Sequence, residues 1–392
     1  MRVRALSIHA DYRCRSSGAC CRSGWDIPVE PAAEERIHLA MSHGRLRPAV
    51  AWARPAPGLP HGARVVLRVL PSGDCVFLER GRPRLCAVEH QLGADAMPPA
   101  CRQFPRVATL TPMGVSLTLS HYCPTAAAQL FRGDVPLAVV SDPSAFPASW
   151  PYEGLDARDA FPPLLRPGVL MSWAAHTRLE EHAVAVLGHE GLSVGQALAL
   201  LAAEAEALRA WTVVSGPFDE LVARVIETQA PPPSPDAPPD APLDAALADW
   251  ERVAAVVPKG HPRPESPRAA VAALGLGRAG AIVDEVCATL RRPVGHWLAA
   301  KAFASWLALQ GEGLRTTRLG LRVALAVLRA EAAREVAELH GAPLDGDGLK
   351  QAIRRADLLL VHLADAEAFA RQLSRCEADT ERVVASTSSL PR

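Results

Sequence analysis

Lysine is nearly absent from this chain of 392 residues: Lys259, Lys301 and Lys350 are its only lysines, and the other 39 basic residues are arginine. Such Arg-, Ala- and Pro-rich usage reflects compositional bias and carries little functional weight. A net charge is also missing, since 42 basic residues meet 42 acidic ones, so no global field points to nucleic acid or to a membrane surface. No apolar run approaches the ~18 residues of a spanning helix. The opening "MRVRALSIHADY" has no apolar stretch of the kind a signal peptide needs, so the expectation is a soluble cytoplasmic protein without nucleic-acid or membrane partners. Tyrosine is scarce as well, at three residues.

Cysteine, in contrast, is concentrated. Seven of the nine cysteines, Cys14, Cys20, Cys21, Cys75, Cys86, Cys101 and Cys123, fall in the first third, while Cys287 and Cys376 stand alone in helix-like contexts and read as small buried hydrophobes. The same third is basic, with 17 Arg and no Lys against 9 acidic residues over 1–132, and the remainder carries the compensating negative charge. In a reducing compartment clustered cysteines point to metal ligation or redox chemistry more than to disulfides, and an odd count argues against a full set of bridges.

The pattern along the chain predicts a small, loop-rich cysteine module over 1–140, a helical region over 141–229, a Pro-rich linker or loop over 230–242 ("APPPSPDAPPDAP") and a C-terminal helical region over 243–380. The fold class expected is mainly α, with a small irregular cysteine-rich N-terminal module containing short strands. In the module, 28–43 reads as a helix opened by proline and acidic residues, 63–78 as a short hairpin turning at "PSGD", and 114–123 as a strand. Later helices are expected over 243–257, 281–291, 295–310, 314–341 and 347–377. "GLGRAG", 275–280, spells a nucleotide-binding fingerprint, but its upstream context is Ala-rich and helix-like with no strand, so it reads as a helix-ending turn.

A thiolate site needs about four ligands converging on one point, often as close pairs from separate loops. The loops here are "CRSSGACC", "GDCVFLERGRPRLC", "ACRQFP" and "SHYCP", with Gly18, Gly73 and Pro124 allowing tight turns. Arg102 and Arg106 are suited to offset thiolate charge, and His9, His90 and His121 could complete a coordination sphere, His121 standing two residues before Cys123. Adjacent side chains diverge from most backbone conformations, so Cys20 and Cys21 are expected either to serve as two ligands of one crowded cluster or as one ligand and one functional thiol. A vicinal redox pair is the remaining reading.

"CRSSGACC" resembles the CxxCGxCC signature of the cysteine-cluster family of zinc- or iron-chelating proteins, with Ser17 where the second cysteine stands, and "GDCVFL", "LC" and "CRQFPRV" follow in that family's order. The chain is more similar to the family's longer branch, the flagellin lysine N-methylases. "CCRSGWDI" resembles their CC-x-GW-x-I, "CRQFPR" their C-R-x-(F/Y)-P-R, and "SLTLSHYCPTAAAQL" their S-L-x-L-S-C-P-x-A-A-x-L with "HY" inserted before the cysteine. The matching covers 12–131. The resemblance implies methyl transfer from S-adenosylmethionine to a lysine of flagellin or another protein, beside a [4Fe-4S] iron–sulfur cluster or zinc held by the seven cysteines. The alternative is a non-enzymatic zinc- or iron-chelating protein. Asp26 beside Trp25 could orient a cationic amine over the indole face, and Tyr12 and Tyr122 flank cysteines, which makes these three the catalytic candidates. No motif locates a pocket for the methyl donor.

Overall fold

The computed structural model describes residues 2–59, 62–79, 81, 86–228, 241–259, 261 and 263–374. Cys376 and residues 230–240 of the Pro-rich segment lie outside them.

A mixed sheet replaces the few isolated strands expected near the N-terminus. Its strands are β1 (Val3–Leu6), β5 (Arg106–Thr111), β6 (Gly114–Leu119), β7 (Val139–Ser141) and β8 (Leu155–Asp156), in the order β7-β1-β6-β5-β8. β1 runs parallel to β6 and antiparallel to β7; β5 pairs antiparallel with β6 and parallel with β8. Only β6 was signalled by its own sequence. β1, β7 and β8 are two to four residues long, and β1 finds both of its partners more than a hundred residues away, so they leave no local pattern; β5, six residues long, forms a hairpin directly with β6. β7 and β8 also carry the sheet past residue 140, where the cysteine module was expected to end. The fold is therefore mixed α/β rather than purely α: helix predominates, at 53%, as expected, but the N-terminal strands build a five-stranded sheet rather than a few short strands.

The sheet is buried on both faces, and the pleat assigns each face a role. Val3, Ala5, Ala108, Leu110, Val115, Leu117 and Leu119 point to one side, into a core shared with Tyr12, Cys123, Phe146 and Tyr152. The alternate residues face the helices; Leu6 and Val107 among them are apolar, while Arg4 Nη1 meets Ser116 Oγ at 3.3 Å and Glu180 at 3.1 Å, and the Thr109 hydroxyl donates to the Ala304 carbonyl at 2.8 Å.

A smaller three-stranded sheet of β2 (Pro28–Val29), β3 (Ala53–Pro55) and β4 (Val65–Leu67) packs with α1 (Pro31–Ser42). α1 begins with proline at its first position, as its sequence suggested. The hairpin expected over 63–78 survives only as β4 and a bridge between Val69 and Cys75, closed by the turn in which Gly73 N–H donates to Leu70 O. This core is modest, built on Val29, Ile37, Leu46, Trp52, Phe77 and Val88, and Cys75, Cys86 and Cys101 pack at its edge.

The short α2 (Ala87–Leu92), α3 (Pro99–Gln103) and α4 (Pro124–Gln129) follow in the cysteine region. The helical part comprises α5 (Trp173–Gly188), α6 (Val194–Arg209), α7 (Phe218–Glu227), α8 (Leu243–Ala255), α9 (Arg268–Leu274), α10 (Leu276–Thr289), α11 (Arg291–Ala302), α12 (Gly313–Glu338) and α13 (Gly346–Asp357). α6 carries a complete capping box, Ser193 accepting from Gln196 N–H and Gln196 accepting from Ser193 N–H. α12 is buried along most of its length and packs against α6, α8, α10 and α13, which is why its Leu/Ala periodicity was legible. Gly275, at φ +94°, ends α9 and starts α10, so "GLGRAG" is a helix junction. The helix expected over 347–377 is interrupted: a π-helical turn over Leu358–Leu363 follows α13 before helix resumes at 366. No helix among the described residues is long and apolar enough to cross a membrane.

Candidate metal centre

All seven N-terminal cysteines line one cavity of about 240 Å³. They arrive from six places in the fold. Cys14 lies in the loop after β1, the exposed member of the set, and its Sγ accepts from Ser16 N–H at 3.4 Å. Cys20 and Cys21 open a single 3-10 turn, Cys20–Arg22, entered through Gly18 at φ +70°, a conformation that glycine adopts without strain. Cys75 follows the "PSGD" turn and is tied directly to the vicinal pair, its N–H donating to Cys21 O at 2.7 Å. Cys86 caps α2, Cys101 sits in α3, and Cys123 caps α4 ahead of Pro124.

The two neighbouring cysteines are the junction of this arrangement. Their sulfurs stand 4.0 Å apart and share a hydrogen bond that favours a thiolate at Cys20 and a proton on Cys21. The Cys21 thiol is raised by that bond, by burial and by the charges of Cys20, Cys86 and Cys75. Burial raises Cys101 well above the ordinary thiol range, with Cys86, Cys75 and Cys20 adding to it, and it pushes Cys86 up to about 11. Cys20, Cys21, Cys75, Cys86 and Cys101 thus form one electrostatically linked set. Cys14 feels both Cys20 and Cys123, and the Cys123 sulfur stands 3.6 Å from the Tyr12 hydroxyl. Burying several thiolates together is unfavourable unless a cation compensates them, and a thiolate-bound metal does so directly.

The donor set fits such a group: seven soft sulfur ligands, with Arg68, Arg102 and Arg106 also lining the cavity to offset negative charge. The spacing bears on which group. Around a single zinc with Zn–S near 2.3 Å, tetrahedral sulfurs lie about 3.8 Å apart. Among the described residues no three Cys, His, Asp or Glu side chains converge closely enough to hold one ion, and the thiols are spread over the cavity wall.

The catalytic candidates separate. Tyr12 lines the cavity, and burial raises its phenol above the ordinary range. Asp26 is exposed and bound to Arg54, with Arg54 Nη2 donating to Oδ1 at 2.6 Å, and it is not part of the cavity wall. Tyr122 lies behind Trp25, ring centroids 5.3 Å apart, beneath the Arg354 guanidinium at 5.4 Å. Trp25 itself lines the cavity, and its buried indole N–H has no partner among the described residues. Ser17 is in the wall, its hydroxyl accepting from Ala19 N–H at 3.5 Å. His90 pairs with Glu79 away from the cavity. His9 and His121 face each other instead, Nε2 to Nε2 at 3.2 Å, in full burial outside the thiol set.

Residues from the far end of the chain back this wall. His362 packs on Trp25 at 4.3 Å and shares a 2.7 Å hydrogen bond with the Ser120 hydroxyl. His121 meets Asp357, which also accepts from Trp297 and Lys301. Their one local signal was a His and an Asp embedded in the apolar run "DLLLVHL".

Burial holds the His362 imidazole neutral and lowers its pKa to about 4. The unfolded chain, with a histidine pKa near ~6.5, takes up a proton that the native state refuses between those values, so stability falls as pH drops from 6.5 to 4. The expected loss from this group is about 3 kcal/mol. Urea unfolding at pH 7 and pH 4.5 checks it: His362→Gln should show a markedly smaller drop than the parent chain, and an equal drop would refute the assignment.

No family model, no curated protein and no solved structure matches this chain.

Proposed function

We propose that the chain is a cysteine-ligated iron–sulfur protein that transfers a methyl group from S-adenosylmethionine to a lysine of flagellin or another protein. The observation carrying the metal part is the convergence of seven thiols from six places in the fold on one cavity of about 240 Å³. Their spread over the wall favours a multi-atom cluster over a single zinc ion. The methyl-transfer part rests on the resemblance of the motifs within 12–131 to flagellin lysine N-methylases.

Cys20, Cys21, Cys75, Cys86 and Cys101 supply the linked ligand set, with Cys14 and Cys123 completing the ring of sulfur. A bound iron–sulfur cluster would supply one-electron chemistry beside a sulfonium donor. The chain's own groups do the remainder. Trp25 and Phe104 form an apolar wall that excludes water and offers a ring face to a cationic donor or amine. Arg68, Arg102 and Arg106 limit the net negative charge. In the transfer the donor's S–CH3 bond breaks as an N–CH3 bond forms, and the amine must arrive without its extra proton. Tyr12, held against Cys123, is the candidate that faces the cavity.

Anaerobically purified full-length protein, incubated with methyl-labelled donor and flagellin from the same organism, should place label on flagellin lysine. Absence of transfer by protein carrying iron and sulfide counts against the enzymatic reading.

A second reading is a non-enzymatic zinc- or iron-chelating protein. It is favoured by the placement of Asp26 on Arg54 and of Tyr122 behind Trp25, which leaves the cavity with little acid–base equipment. Stoichiometric zinc in a colourless protein would support it.

A further inference from the structure

A second cavity, of about 250 Å³, lies between the sheet and the helices and shares no lining residue with the cysteine site. Val107 and Thr118 reach it from the helix-facing side of β5 and β6; Phe303, Leu321 and Phe369 are among the residues that make it largely apolar. Its polar lining side chains include Ser305 and Thr317, the latter donating to Gly313 O at 2.9 Å, together with Thr118 and Lys301. Thr118 is 5% exposed, and its hydroxyl has no hydrogen-bond partner among the described residues. Lys301, from the end of α11, directs one ammonium proton to Asp357 at 2.6 Å and lies 5.6 Å from the Trp297 ring centroid. An ammonium has three protons to donate, so Lys301 retains capacity beyond that bond.

Buried polar groups are normally satisfied, and an unmet hydroxyl and an ammonium with donors to spare, both lining one largely apolar chamber, offer a recognition end for an acceptor. The charge of that acceptor follows from Asp357. Its carboxylate already neutralises Lys301, so an anionic ligand would gain no net attraction while losing its hydration, and it would sit near a like charge. A neutral carbonyl loses far less. As to size, an apolar protein cavity of about 150 Å³ holds benzene, so this one has room for an aromatic or short aliphatic body plus a carbonyl.

We propose that this cavity is a binding site for a small, neutral, mainly apolar carbonyl compound, whose oxygen accepts from Lys301 and Thr118. The site is independent of the metal centre, and its test does not involve the cysteines.

The probes are acetophenone, ethylbenzene and benzoate, titrated into the full-length protein by calorimetry or by ligand-observed NMR. Acetophenone is expected to bind saturably, with ethylbenzene, similar in size but lacking the oxygen, and benzoate, which carries the charge, each about tenfold weaker. Ala324→Leu, which places a larger side chain in the cavity wall, should abolish acetophenone binding. Thr118→Val keeps the shape and removes the hydroxyl, and it should weaken acetophenone several-fold while leaving ethylbenzene unchanged. It also serves as the informative variant if Ala324→Leu does not fold. Absence of saturable acetophenone binding, equal affinity for all three probes, or affinities that neither substitution alters would overturn the proposal.

Discussion

On the proposed iron–sulfur reading, Cys101→Ser is expected to lower the iron and acid-labile sulfide of the anaerobically purified protein and to bleach the thiolate-to-iron absorption. Cys101 is buried in the linked set, and its thiol feels Cys86, Cys75 and Cys20 at once. Serine keeps the size but offers a hard, weakly acidic oxygen where a soft thiolate is needed. Replacing even an outer partner of a metal ligand commonly costs 10- to 100-fold in affinity, so loss of a direct ligand should lower occupancy by more than about tenfold. Cys287→Ser is the matched control, because Cys287 lies in α10 within the helical core and takes no part in the cavity. Metal and sulfide analysis with visible spectra of both variants decides the matter. Equal iron in the two would remove Cys101 from the ligand set, and a parent protein with zinc and no sulfide would move the chelating reading ahead of the enzymatic one.

Asp357→Ala is expected to destabilise the protein by about 3–5 kcal/mol, the cost typical of breaking a buried ion pair from one side. The Asp357 side chain is completely buried at the end of α13. It accepts from Lys301 Nζ at 2.6 Å, from Trp297 Nε1 at 2.8 Å and from the backbone N–H of His121, with His121 Nδ1 at 3.4 Å. Burial by itself raises a carboxyl, but Lys301 and His121 more than offset it, and the group stays ionised well below the usual carboxylate range. Its contribution is present above the unfolded pKa near ~4 and is lost only as pH falls below that value. Alanine strands a buried ammonium, an indole N–H and a backbone N–H together. Asparagine keeps an acceptor and should cost less, and adding Lys301→Met to Asp357→Asn should recover part of the loss, since no unpaired charge then remains. Urea unfolding of the parent, Asp357→Asn, Lys301→Met and their combination closes the double-mutant cycle, with Asp357→Ala measured beside them; a loss below about 1 kcal/mol for Asp357→Ala would place the group among ordinary surface ion pairs.

These two residues also mark the limit of what local sequence can disclose. Cys101 stood out because thiols are chemically specific and their order along the chain resembles a known arrangement. Asp357 did not, because an isolated acid in an apolar run has no meaning until Lys301, Trp297 and His121, from two other elements, are folded around it. The same contrast holds for the catalytic candidates. Trp25 lines the cavity, yet its neighbour Asp26 faces the opposite way and pairs with Arg54, a separation decided by local backbone direction and by a partner 28 residues later.

The sequence by itself determined α6, α8, α10 and α12 in outline, through apolar periodicity, and the turns at Gly18, Gly73 and Gly275, where backbone conformation depends on the residue in place. It also determined the inventory of seven thiols. The tertiary structure alone decided that those thiols face one cavity, that residues 3–6 form a strand parallel to 115–117, and that the helix after Asp357 breaks into a π turn setting His362 against Trp25. The physical reason is range. Periodicity, capping and turn formation act over a few residues and are written in the local sequence, whereas strand pairing, buried ion pairs and ligand convergence are settled by burial free energy shared among segments a hundred or more residues apart.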